Sequence, residues 1–388
     1  MSKVEVIISN GVQYHTPFQV NELEKLGVNY KYITGLTIKK LNHLTNNIDE
    51  SKVISLSKYI MPYKILARLF PKKSWNIYYR MHEKFDVKST KYINECKIFH
   101  AFNGFALESF KKINKMNNKP IKIVECGVHP RYYSNICNEE FEKYGVYRES
   151  LSKEYIEKSE KEFKQADYIL TLTDICVKSF IENGYDREKI IAIPLGANIE
   201  KFKKTKEKKS KFTVCYVGRV SILKGVQYLL SACEMLDKLG YDFECNIIGA
   251  IDDEIAQKIV QKYKDVSWAN FIGKIEYMQL RDYYSESHVT VLPSLIDSFA
   301  MVVYESMACE TPVIITENVG APIIDNKHGY IVPIRNDKAI YDKLVYLYNN
   351  REQAIEMGKL GEVYVKNKSY DIYGEKLKEF YDKIINQK

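Results

Sequence analysis

Short apolar runs rich in β-branched residues alternate with helix-length stretches along this chain, and the alternation starts over after residue 211. Residues 4–9, 98–101, 121–125, 169–172 and 190–194 read as buried strands of a first half. Residues 212–217, 243–248, 289–292, 313–315 and 329–332 read as strands of a second. Helical stretches lie between them, such as residues 226–239 and 299–309. Strands alternating with helices fold as βαβ units around parallel sheets. Between the halves, KFKKTKEKKSK carries charge without apolar periodicity, which is the pattern of a solvated linker. The sequence therefore predicts an α/β protein of two Rossmann-like domains, residues 1–195 and 212–370, joined by a linker at 196–211. A last helix over residues 371–388 carries Ile372, Leu377, Phe380, Tyr381 and Ile384 on an apolar face able to pack across either domain, the first included. Ligands of such sheets bind beyond the carboxyl ends of the strands, here facing an interdomain cleft.

Charge and composition narrow the function classes. Hydrophobic residues make up 45% and charged residues 28% of 388, ordinary for a globular protein and unlike a disordered or fibrous one. No run of 18 apolar residues occurs, and MSKVEVIIS leads straight into a strand, so the expectation is a cytoplasmic protein. Eight scattered cysteines form no Cys-x-x-Cys pair and read as reduced core residues. Of the net charge of +8, residues 1–200 hold 31 basic against 24 acidic residues, or +7. Such a half suits a nucleic acid, a membrane surface or a phosphorylated ligand. The basic residues are 49 Lys and nine Arg, and direct base readout prefers Arg, which weakens the nucleic-acid alternative. The seven His are far apart with no ligand spacing, so no metal site is expected. Asp252, Asp253 and Glu254 read as a solvated loop.

Two places carry chemistry. Strand FTVCYV ends in Gly218-Arg219, and Lys224-Gly225 precede the next helix. A strand, a glycine turn and a helix N-terminus make an anion site, and Arg219 with Lys224 suits a diphosphate. Two solvated cations flanking a turn is the alternative reading, and spacing leaves both open. Farther on, residues 301–315 carry only Glu305 and Glu310 as charges. Glu305 lies in an apolar helix, where a carboxylate needs partners. Ribose hydroxyls or core hydroxyls both serve. Asp297 precedes that helix and reads as an N-cap or as an acceptor for sugar hydroxyls. In the second case the backbone amides of Ser298, Phe299 and Ala300 point at a phosphate.

GRVSILKG, FIGKI, PSLIDSFAMVVYESMACETPVI and NVGAPIIDNKHGYIVP, in that order, resemble the donor domain of retaining glycosyltransferase family 4, of GT-B fold. IPLGANIEKF resembles that family's interdomain junction; IVECGVHPRYYS and NGVQYH resemble its acceptor loops. The resemblance implies that Gly218, Arg219, Lys224 and Gly249 surround the donor diphosphate, that Glu305 holds the ribose, and that Lys274 and Ile275 meet the base. It places Gly11, His15 and His129 on the acceptor side and counts His129 and Asp297 with the catalytic residues. It further implies a departing phosphate oxygen that takes the acceptor proton on the same face, and no metal or other cofactor. Three positions depart from the family pattern. Asp297 stands where a longer Glu is usual, Glu310 where Gly is usual, and Asn198 where Asp is usual. The expected protein is a hexosyltransferase that moves a sugar from a nucleotide diphospho-sugar, a UDP-sugar in preference to GDP-mannose. The expected acceptor is a glycan or lipid-linked glycan of capsule or lipopolysaccharide synthesis. The alternatives are a nucleotide-sugar epimerase of the same fold and a basic nucleic-acid-binding protein. Residues 58–97, with ten basic and three acidic side chains among aromatic ones, are expected to dock on the anionic inner face of the cell membrane.

Overall fold

The computed structural model describes residues 4–45, 48–70, 74–147, 149–321 and 323–387. Two fully parallel sheets organise it. The first holds β1 (Val6–Asn10), β2 (Tyr30–Thr34), β3 (Val53–Ser55), β4 (Ile98–Phe102), β5 (Ile121–Glu125), β6 (Tyr168–Thr171) and β7 (Ile190–Ala192), in the order β3-β2-β1-β4-β5-β6-β7. The second holds β8 (Phe212–Val217), β9 (Phe243–Ile248), β10 (Ala269–Gly273), β11 (Val289–Leu292), β12 (Val313–Thr316) and β13 (Gly329–Val332), in the order β10-β9-β8-β11-β12-β13. The central strands are buried along their whole length, which is why they read as unbroken apolar runs.

In both sheets the order reverses beside the first strand, between β1 and β4 and between β8 and β11. Each reversal opens a crevice at the strands' carboxyl ends, and residues from both sheets line one shared cavity there.

The stretch at 196–211 is not the plain solvated linker expected. Phe202 is 2% exposed and packs in the second domain's core with Ala197. Lys208 donates to Thr311 Oγ1 at 2.6 Å, and burial lowers its pKa to about 7. The chain also crosses between the domains a second time, directly beside the first crossing. Ala197 N–H donates to the Lys368 carbonyl at 2.9 Å, and a Cβ on Gly196 would stand 2.1 Å from the Ser369 backbone. Beyond this second crossing, helix Tyr370–Asn386 lies on the first domain. Tyr373, Leu377, Phe380, Tyr381 and Ile384 join the core formed by β1, β4 and β5.

All eight cysteines are free and buried. Among the described residues no helix is long and apolar enough to cross a membrane. Glu310 takes φ +58°, the left-handed conformation that suits glycine. The chain thus keeps that helix-end geometry with a side chain that is strained there.

Candidate active site in the interdomain cleft

A cavity of about 530 Å³ lies between the two sheets. Tyr14, His15 and Tyr133 wall it from the first domain; Arg219, Lys224 and Asp297 wall it from the second. The second-domain wall depends on two close backbone approaches. Gly249 (φ +146°) lies against the Gly218 carbonyl, where a Cβ would stand at 1.8 Å. Gly225 (φ +74°) starts helix Val226–Lys238 against the Pro293 carbonyl, where a Cβ would stand at 1.9 Å. Only glycine fits either place, and the two contacts bring the turns after β8, β9 and β11 together.

Arg219 and Lys224 both reach this cavity, and each already has an acidic partner. Arg219 Nη1 lies 2.9 Å from Asp252 Oδ2 and its side chain is 68% exposed. Lys224 Nζ is ion-paired with Asp297 Oδ2, both side chains mostly buried. Asp252 and Asp253 are therefore not simply a solvated loop. Asp252 faces Arg219, and Asp253 caps helix Glu254–Lys262 by accepting from Ala256 N–H at 2.6 Å. The sequence offered no signal for the Arg219–Asp252 pairing beyond the charges themselves. Asp297 is not the helix N-cap either: it accepts from Phe299 N–H at 3.3 Å, and the helix begins later, at Met301–Ala308.

That later start corrects the expected phosphate cradle. Phe299 N–H is turned to Asp297, and Ala300 N–H donates to the Gly320 carbonyl at 3.0 Å. Neither amide is left for a phosphate. Ser298 instead joins the domains. Its Oγ accepts from Val128 N–H at 3.2 Å, and its carbonyl accepts from Thr173 Oγ1 at 3.0 Å.

Glu305 is likewise held by protein. It is 4% exposed and accepts from Tyr277 Oη at 2.6 Å and Tyr284 Oη at 3.1 Å. Burial raises its pKa, while the two tyrosine hydroxyls act the other way. Core hydroxyls, not an open ribose site, satisfy this carboxylate, and it is not among the cavity walls. Lys274 is exposed and Ile275 packs on the second domain's core; neither lines the cavity.

On the acceptor side the three expected residues divide. His15 is a cavity wall. Gly11 is buried against Phe105 and does not reach the cavity. His129 is fully buried and is not a cavity wall, so the expectation of a catalytic or acceptor-contacting role for it is corrected. Its Nδ1 caps helix Pro130–Glu142 by accepting from Arg131 N–H at 3.3 Å, and its ring packs among Phe163, Phe180 and Tyr185. Burial lowers its pKa to about 4, so it is neutral at pH 7. The residues that bury it lie 34 to 56 positions on in the chain, and the local sequence does not show them. Sequence reading also missed Glu125, which hydrogen-bonds His15 from the end of β5.

Two acidic residues on the first domain strengthen the domain contact. Glu140, fully buried, takes Arg335 Nε at 3.0 Å and Tyr228 Oη at 2.8 Å from the second. Glu139 takes Arg335 Nη1 at 3.0 Å.

Comparison with known proteins agrees with this architecture. The family model "Glycosyl transferases group 1" matches residues 198–363. An uncharacterized 41.2 kDa protein of the cps region of Klebsiella pneumoniae is 28% identical over 69% of this chain and 75% of its own length. The capsular polysaccharide biosynthesis glycosyltransferase CapM of Staphylococcus aureus is 27% identical over 50% of this chain; the match spans about half of CapM, 54%. The structure of Anabaena HepE in complex with UDP-glucose superposes with a TM-score of 0.66 over 98% of this chain and 99% of its own, at 12% identity, a likeness of fold. The chain has the GT-B fold, and its residues 198–363 are a group 1 glycosyl transferase domain.

Proposed function

We propose that the whole chain is a retaining glycosyltransferase that moves a sugar from a nucleotide diphospho-sugar, a UDP-sugar in preference, to a glycan or lipid-linked glycan of a surface polysaccharide. One observation carries the reading: Arg219 and Lys224 meet at one cavity between the domains, on turns of a group 1 domain. Cations fixed there stabilise the charge that develops on a leaving diphosphate, and the two acidic partners hold them in place before the donor arrives. The UDP preference is supported by the fold likeness to a protein whose structure holds UDP-glucose. The polysaccharide role is supported by the cps-region and capsular relatives. Retention rests on the family resemblance of the donor motifs. Walls drawn from both domains suit closure over the donor, which keeps water from it.

Peripheral membrane docking belongs to the same proposal. Helices Ser57–Leu69 and Ser74–Ser89 pair as a hairpin at the edge of the first domain. Ile65, Leu69, Phe70 and Trp75 are each more than half exposed along it, beside Arg68. Exposed apolar side chains next to cations suit an anionic lipid surface.

The test is a thermal-shift panel of UDP-, GDP- and dTDP-sugars. A true donor at about 100 times its dissociation constant adds about 2.7 kcal/mol. No shift with any member defeats the proposal.

A further inference from the structure

Helix Ser74–Ser89 carries Trp75, Tyr78, Tyr79 and His82 at the spacing i, i+3, i+4, i+7, which sets four rings on one helix face. Such a stripe is ordinarily core, and its inner end is core here. His82 packs on Phe105 with ring centroids 4.2 Å apart, and Phe85, one turn on, is fully buried. The outer end is open: Trp75 is 54% and Tyr78 37% exposed. This face borders a hollow of about 330 Å³. Tyr155 of helix Lys153–Gln165 and Tyr14 of the loop after β1 complete its aromatic wall.

Tyr14 is also a wall of the cleft cavity, so the hollow and the cleft adjoin at its ring. That ring is about half exposed, yet it stacks on Phe102 at 4.4 Å and 21°. One face is fixed against the domain and the other is open. Tyr155 Oη donates to Asn103 Oδ1 at 3.0 Å, and Lys158 Nζ lies 5.6 Å over the Tyr79 ring. The protein itself therefore holds these rings in place, which lowers the cost of binding against them. Trp75 belongs as well to the exposed edge of the hairpin assigned above to a lipid surface, so the hollow connects that edge with the cleft.

Charge separates the two cavities. Arg219, Lys224, Asp252, Asp253 and Asp297 wall the cleft, whereas among the described residues no Lys, Arg, Asp or Glu walls the hollow. Burial lowers the His82 pKa to about 3, so that side chain is neutral too. A phosphate or an acidic sugar finds no countercharge in such a place, and a neutral group suits it. The wall also has polar edges, from the hydroxyls of Tyr14, Tyr78 and Tyr79 and from Gln13 and Ser152. A hydrocarbon chain would take water from those edges and give nothing back. A neutral sugar ring offers a C–H face to the aromatic rings and hydroxyls to their edges.

We propose that this hollow is a subsite for a neutral, non-reacting sugar ring of the acceptor, the neighbour of the ring whose hydroxyl is glycosylated in the cleft. The inference rests on the glycosyl-transfer reading and adds to it an acceptor of at least two sugars, laid across Tyr14. A lipid-linked glycan held at the hairpin passes through the hollow on its way to the cleft.

The chain has two tryptophans, and the other, Trp268, is buried against Phe243 in the second domain. Fluorotryptophan in the full chain therefore gives two fluorine NMR signals, assigned by Trp75→Phe. The probes are maltose, cellobiose, lactose and N,N′-diacetylchitobiose, each raised to about 50 mM, well above a millimolar constant. Geraniol stands in for a lipid chain. At least one disaccharide should move the Trp75 signal saturably while that of Trp268 stays. Tyr14→Ala and Tyr78→Ala, both at exposed side chains, should each weaken that affinity about tenfold, the size of a central contact in a binding site. A Trp75 signal that no saccharide moves overturns the proposal, and movement by geraniol alone reassigns the hollow to a lipid chain. Unaltered affinity in both tyrosine variants overturns it as well. The glycosyl-transfer reading fails on a different signal: no melting shift of wild type with any nucleotide sugar defeats that reading and removes the acceptor role from the hollow, whatever Trp75 shows.

Discussion

Lys224 and Asp297 form an ion pair that ties the turn after β8 to the loop after β11 at the wall of the cleft cavity. Under the proposed function, a diphosphate entering the cleft would meet a lysine already aimed and neutralised by a carboxylate, and would either share Nζ with Asp297 or free Asp297 for the sugar hydroxyls.

Arg219→Ala and Lys224→Ala should each lower turnover at least tenfold with the fold intact. A donor lost from a preorganised site costs about 2.7–4 kcal/mol of transition-state stabilisation. Steady-state rates, beside circular-dichroism melts of the same samples, check both halves. Two variants at near wild-type rates would remove these residues from the chemistry.

Asp297→Asn should cut activity and, by breaking the Lys224 ion pair, lower the melt modestly, whereas Glu305→Gln should act mainly on the melt. The family resemblance gives Glu305 the larger share of donor binding. The structure shifts that weight, since Glu305 is enclosed by Tyr277 and Tyr284 while Asp297 faces the cavity. Weakening two buried hydrogen bonds to a charged group costs about 1.5–3 kcal/mol. Calorimetric titration with the donor decides: a greater affinity loss in Glu305→Gln than in Asp297→Asn restores the ribose role.

How much of this was legible beforehand depended on distance along the chain. Strands β5, β8, β9, β11 and β13 stand where their apolar runs read. β2 was missed because YKYIT interleaves lysine with tyrosine, and β3 because three residues carry no pattern. β10 overlaps the motif FIGKI, where glycine and lysine cut the apolar run short. Arg219 and Lys224 were legible because strand, glycine and cations are contiguous. His129 was misjudged for the converse reason. Its position after a strand is local, whereas the rings that bury it come from two later helices and from Tyr185 just beyond the second. The His15–Glu125 contact joins residues 110 apart and leaves no mark in either segment.

Full turnover should persist in EDTA. Under the proposed function, the guanidinium of Arg219 and the ammonium of Lys224 would supply the positive charge that a divalent ion would otherwise bring to the diphosphate. Activity lost to chelator and restored by Mg²⁺ or Mn²⁺ would show that the acidic side chains of the cavity hold a cation during catalysis.

Stability should fall as pH drops from about 6.5 to about 4. Burial, together with nearby Arg131 for His129 and Arg351 for His288, lowers both imidazoles to about 4. Unfolded, they titrate near 6.5. In that window the unfolded chain binds more protons, so stability rises with pH and is lost on acidification. Urea denaturation at pH 6.5, 5.5 and 4.5 measures the slope. His129→Asn, which keeps a side-chain oxygen for the Arg131 amide but does not titrate, should be less steep.

The helical hairpin should carry the chain to anionic vesicles at low salt and release it at high salt, because the attraction is screened within about 10 Å at 0.1 M. Neutralising Lys64, Arg68, Lys72 and Lys73 together should abolish co-sedimentation while transfer to a short soluble acceptor continues; Lys72 and Lys73 lie outside the described residues. Replacing Leu69, Phe70 and Trp75 by Ser should weaken binding at every salt concentration, since those side chains supply apolar contact. Sedimentation of the quadruple variant with anionic vesicles would assign docking elsewhere.

The return of helix Tyr370–Asn386 to the first domain has a consequence for synthesis. Tyr373, Leu377, Phe380, Tyr381 and Ile384 cover apolar surface on β1, β4 and β5, strands made some 250 to 380 residues earlier. During translation that surface stays uncovered until the second domain has been made and helix Tyr370–Asn386 has left the ribosome. Domains usually mature in order from the amino end. Here the domain made first is completed last, and a chain halted before residue 373 carries an exposed apolar patch that a holding chaperone must shield.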